Sequence, residues 1–188
     1  AYPSLKPLVT WQEDLLKRCA FIQDWVENGM PVTFWISGFF FPQAFLTGTL
    51  QNYARKLQIG IDTVALDFRN CKLEAHEIKE KPEAGVIIWG FYLEGARWDI
   101  EKNSLIESKP KELFTSYVPI WLAPVVDRPK PDPKVTLMCP AYKVLTRKGT
   151  LSTTGHSTNF VMTIEVPTDK PVGHWIKRGV AIFLALSY

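Results

Sequence analysis

Residues 155–159 read GHSTN, a histidine beside a serine in a run of small and polar residues that passes into the apolar segment 160–162. A serine nucleophile needs a base within hydrogen-bond reach, and the strand–turn–helix elbow that exposes such a serine carries glycines on both sides of it. Asn159 stands where the second glycine belongs, and the segment leads into a strand pattern instead of a helix. A Ser157 nucleophile served by His156 or His174 thus competes with a plainer reading, a surface turn entering a strand. Metal ligation has less support. His76, His156 and His174 are widely scattered, and Cys19, Cys71 and Cys139 fall at no Cys-x-x-Cys interval, so no metal site is expected. Glu94, Asp99 and Glu101 flank Arg97 in LEGARWDIE. Paired acids can hydrolyse sugars, but an arginine among acids in a tight turn more simply makes a local ion pair. No Gly-rich loop ending in Lys-Ser/Thr is present, so ATP and Mg²⁺ are not expected to bind this chain.

The remaining chemistry is that of contact. Trp25, Trp35, Trp89 and Trp121 lie inside apolar runs and are expected in the core, together with Leu46, Leu50, Phe91 and Phe160. Trp98, beside Arg97, and Trp175, beside Lys177 and Arg178, sit in polar turns, and an aromatic paired with a cation is the composition of an interface anchor. The net charge is only +3, too little to require a nucleic-acid partner. From Cys139 onward, however, six Lys or Arg face two acids, a local +4 that leaves −1 elsewhere. Arg147 and Lys148 are therefore expected to share one cationic surface with the segment His174–Arg178.

The elements that must position these residues divide the chain in two. Thr10 and Glu13 have capping-box spacing, and Trp11, Leu15, Cys19, Ile22 and Val26 recur at helical intervals, predicting a helix over 11–28 that stops at Gly29. Residues 28–54 carry no charge, yet Pro31, Gly38 and Pro42 interrupt them and an amphipathic pattern follows, so a second helix over 42–57 is expected and no membrane span. Beyond residue 59 the period becomes two. Strands are predicted at 64–68, 85–93, 104–107, 117–122, 141–145, 159–166 and 180–186. The expected class is α+β: a helical pair over 1–58, then a small, mainly antiparallel β-barrel of six to seven strands over 59–188. The segments 74–85 and 127–134 are expected as exposed, mobile loops. At 188 residues and 46% hydrophobic content one core is expected. An odd number of cysteines and the lack of any N-x-S/T sequon favour a reducing, intracellular setting, and a start at Ala1 suggests a piece of something longer.

Six segments carry more than composition does: FWISGFFFPQAFLTGTLQNYARK (34–56), IDT (61–63), FYLEGARWD (91–99), CPAYK (139–143), RKGTLSTTGHSTNFV (147–161) and HWIKRGVA (174–181). Together and in this order they closely resemble the C-terminal domain of dynein heavy chains of the axonemal kind. The resemblance implies helices followed by a β-barrel lying across a face of an AAA+ ring, with ATP and Mg²⁺ bound elsewhere in the heavy chain. It also implies as partners that ring and other dynein chains, with microtubules contacted only through other parts and no nucleic acid or membrane. The implied location is cytoplasmic, on the cytoskeleton of ciliary and flagellar axonemes. The leading expectation is a non-catalytic structural and regulatory domain. Two alternatives stand beside it, an autonomous ligand- or protein-binding barrel using Trp98 and Trp175, and a hydrolase built on Ser157 and His156. The loops 74–85 and 127–134 depart most from the family.

Overall fold

In a computed structural model of the protein, which describes residues 7–144 and 159–185, a helix α1 (Leu8–Asn28) leads into a short strand β1 (Thr33–Trp35) and a second helix α2 (Pro42–Leu57). The predicted helices are both present. Helix α1 ends where Gly29 takes a φ of 86° and its N–H donates to the Trp25 carbonyl, a conformation that costs glycine little. Its start differs from the capping-box expectation: it begins before Thr10, with Pro7 at the cap. Pro42 opens α2 because the amide it lacks would have no intrahelical acceptor, and Gln58 closes it in the left-handed region.

The strands that follow are β2 (Val64–Asn70), β3 (Val86–Trp89), β4 (Tyr92–Glu94), β5 (Arg97–Asp99), β6 (Ser104–Ile106), β7 (Phe114–Ser116), β8 (Ile120–Val126), β9 (Thr136–Tyr142) and β10 (Phe160–Pro167). A one-and-a-half-turn helix α3 (Val172–Lys177) and a last strand β11 (Ala181–Phe183) complete them. One sheet has the order β1-β3-β8-β2, a second β10-β9-β11-β4-β7, and β5 pairs only with β6. Pairing is antiparallel except for β1 with β3 and β9 with β11. The class is α+β as expected, but the described residues form no closed barrel.

The reason lies at Gly90. The run 85–93, predicted as one strand, is two: β3 belongs to the first sheet and β4 to the second, and Gly90 between them has a φ of 100°. A Cβ there would lie 2.8 Å from the Trp35 ring and 3.1 Å from Ser37 Oγ. Ser37 Oγ in turn donates to the carbonyls of Gly90 and Leu184, so the crossing point is bonded as well as packed. Each sheet is left with open edges. Across two of them reaches Arg128, from the loop expected to be mobile: its guanidinium donates to Glu165 on β10 through two bonds of 2.6 Å and to Asp67 on β2 at 2.7 and 3.0 Å. Burial raises the pKa of Asp67, but hydrogen bonds from Arg69 and Arg128 outweigh it and hold the carboxyl below its ordinary value.

Apolar side chains from both sheets meet in one core, where Ile88, Leu93, Ile120, Leu122, Ile164 and Ile182 are fully enclosed. Of the expected core residues, Leu46 and Phe91 are buried, while Leu50, Trp121 and Phe160 are only half-buried. Trp89 departs from the expectation. It is 36% exposed, because β3 points it away from the core to stack on Trp35. Among the described residues no helix is long and apolar enough to cross a membrane.

Truncating Phe91, which is 1% exposed, to Ala should cost about 3–5 kcal/mol, and Trp89→Ala clearly less, in denaturant unfolding of the 188-residue protein. Arg128→Met should cost about 1.5–3 kcal/mol, the range for hydrogen bonds to charged groups. An unchanged denaturation midpoint would mean that the two edges are held together by other contacts.

Candidate contact surface

Glu107, immediately after β6, is the centre of the charged face. Its Oε1 accepts from Lys170 Nζ and lies against His174 Nε2, both at 2.7 Å, while Arg178 Nη2 is 2.8 Å from Oε2. Lys170 comes from the turn after β10, and the other two come from α3 and the residue that ends it. Hydrogen bonding from Lys170 is the largest influence on Glu107; desolvation opposes it, but with hydrogen bonding from His174 and the Arg178 charge added, the pKa is lowered.

The pin beneath this cluster is Trp175, which is fully buried. Its indole N–H donates to Thr168 Oγ1, its ring lies 5.6 Å from Lys170 Nζ, and His174 packs edge-on against it. Trp175 is thus enclosed by its own chain and not displayed at the surface. Its neighbours are the exposed ones, Ile176, Lys177 and Arg178. Nor does Arg97 pair within its own turn: its Nε lies 3.2 Å from Glu112 Oε2, while Asp99 instead accepts from the amides of Glu101 and Lys102. Trp98 is half-buried, its ring edge-on to Tyr117 at 5.0 Å. Arg178, Glu112, Glu94 and the exposed Leu113 line one shallow dish of about 450 Å³, and Arg97 adjoins it through its pairing with Glu112. That face is an alternation of charges, with Glu107 and Glu112 each engaged by cations. Arg147, Lys148, His156 and Ser157 lie outside the described residues.

Glu107 carried no signal in the sequence, since its three partners stand 63 to 71 positions away. Among the described residues no group of three or more His, Cys, Asp or Glu is placed to hold a metal ion. A second face is apolar. None of the 21 residues of α1 is fully buried. Trp11, Leu15, Arg18, Phe21, Ile22 and Trp25 turn inward, whereas Leu8, Val9, Leu16, Cys19 and Val26 are exposed. Leu16 follows Val9, and Val26 follows Cys19, by about two helical turns, so these residues form an exposed apolar stripe that flanks the inward face of the helix. Of the residues that recur at helical intervals, Cys19 and Val26 are exposed, and Phe21 and Trp25 pack inward on Phe39, Phe34 and Phe45. Where α1 ends, Trp25, Met30, Phe34, Phe45, Tyr53 and Pro82 help to line an open groove of about 420 Å³ against α2.

The family model of the C-terminal domain of the dynein heavy chain matches residues 1–184. The protein belongs to this family. Along its whole length it is 57% identical to dynein axonemal heavy chain 1 of Rattus norvegicus and of Homo sapiens, and 50% identical to dynein axonemal heavy chain 12 of Homo sapiens. It spans 4% of the length of the first two and 6% of the third. The dynein C-terminal domain described here thus presents two different faces, a charged one whose cations are engaged by Glu107 and Glu112 and an apolar one along α1.

Because the Glu107 pKa is lowered in the fold, its contribution to stability is complete above the unfolded carboxyl pKa of about 4.3 and is lost as pH falls through the lower folded value. Glu107→Gln should remove this acid-side dependence. The check is the melting temperature of the two proteins from pH 7 down to pH 3, where the curves should converge as the pH drops.

Proposed function

We propose that this domain is a non-catalytic docking and regulatory element that lies against the AAA+ ring of its own heavy chain and tunes ATP-driven, minus-end-directed movement along axonemal microtubules in cilia and flagella. ATP and Mg²⁺ are handled elsewhere in that polypeptide, and other dynein chains are further partners. The observation that carries this reading is the outward stripe of α1. A helix at the surface of a domain ordinarily keeps its apolar residues on one side. Here Val9, Leu16 and Val26 extend the apolar surface beyond the inward face and are exposed, which suits a helix packed between two bodies. Membership of the family, together with similarity along the whole of this chain to axonemal heavy chains, supports the ring as that second body.

The charged face has a lesser part in this reading. Exposed charges at a rim act chiefly on association and its salt dependence, and Lys177 and Arg178 are suited to that. Val9→Asp/Leu16→Asp in the full-length heavy chain should change microtubule-gliding velocity, because an unpaired carboxylate in an apolar contact is strongly unfavourable. The basal ATPase cycle should remain. If velocity is the same as that of the parent motor at low and high salt, α1 faces solvent and the docking reading fails.

A further inference from the structure

Beside the inward face of α1, a patch at the junction of Arg18, the 36–41 turn and the end of β9 combines cations with exposed aromatic rings. Lys143 donates from Nζ to the Phe40 carbonyl at 2.6 Å. The Arg18 guanidinium lies 5.7 Å from the Phe40 ring centre and 6.0 Å from that of Trp35, and its Nε donates to Asp14 at 2.8 Å. Arg18 therefore has its acid. Lys143 has none among the described residues, since its partner is a carbonyl, and it is half-buried. Desolvation first, and then the Arg18 charge, lower its pKa. Next to it Phe40 is 59% and Phe41 64% exposed. The third ring of the run, Phe39, turns inward and stacks on Phe45 at 4.4 Å.

A half-desolvated ammonium with spare donors, held beside two exposed phenyl rings, is complementary to a carboxylate flanked by apolar atoms. We infer that Lys143, with Phe40 and Phe41, receives an Asp or Glu carried beside an apolar side chain by a segment of the same heavy chain outside residues 1–188. This rests on the docking reading above and adds the chemistry of one contact to it. The same heavy chain is favoured over a second copy or a separate protein because its segments are tethered, which gives an effective concentration on the order of millimolar. The relatives show how much polypeptide that is, since this domain spans only 4% to 6% of their length.

The experiment is zero-length carbodiimide coupling of the intact full-length motor. The reagent condenses a lysine amine with a carboxylate in contact, forming an amide while the reagent is hydrated to its urea. Peptide mass spectrometry then locates the products. In parallel, the photoreactive residue p-benzoylphenylalanine at position 16 reports docking of α1. The expected result is an amide from Lys143 to an Asp or Glu elsewhere in the same heavy chain, lost in Lys143→Arg, which keeps the charge but offers no amine to couple. No Lys143 product, with position 16 still cross-linked to the heavy chain, overturns the carboxylate contact and leaves docking intact. Loss of both removes docking too. A Lys143 product to a carboxylate within residues 1–188, or to a second heavy chain, also overturns the inference.

Discussion

Between Trp89 and Phe91 the backbone passes through a φ of 100°, and this step carries the chain from the four-stranded sheet to the five-stranded one. A side chain at Gly90 would meet the Trp35 ring, so β1 can lie beside β3 only while that position has no Cβ. The buried hydroxyl of Ser37 then ties the crossing to Leu184, beyond the last strand. Helix side, first sheet and second sheet are thereby registered against one another at a single point. Open edges are the price of two sheets in place of one closed surface, and Arg128 spans two of those edges with a single side chain.

Arg128 and Glu107 use the same device with opposite signs. In one, a guanidinium gathers two carboxylates from two strands; in the other, a carboxylate gathers three basic groups from two segments. Both hubs make long-range connections out of groups that are strongly polar and only partly buried, which is where such pairs retain some of their Coulomb energy. The basic excess at the C-terminal end is in part consumed this way. What reaches solvent near α3 is Lys177, together with the outer parts of Lys170 and Arg178.

The helices were legible because their punctuation is local: Gly29 and Pro42 act on their own backbones, and the end of α1 and the start of α2 fall where those signals put them. Much of the sheet structure was not. Strands of three residues such as β1, β5 and β7 are shorter than one period-two pattern needs to declare itself, and the apolar run 85–93 conceals a change of sheet that a single glycine produces. Trp175 looked exposed because its sequence neighbours are polar. Its partner Thr168 lies seven positions back, on the other side of a turn, and burial came from that fold-back. Arg97 and Arg178 were legible as cations of polar turns, but the acids that neutralise them, Glu112 and Glu107, are set by tertiary packing alone.

The exposed apolar stripe of α1 gives the helix a second surface that a neighbouring body can cover. Any body seated on its outer stripe binds the folded helix and not the unfolded polypeptide, so the free energy of that binding is added to the stability of the domain. The melting of this region is then a property shared with its neighbour: a substitution in the other body, far from these residues in sequence, would lower the temperature at which α1 comes away from Phe34, Phe39 and Phe45. Folding and attachment become one equilibrium.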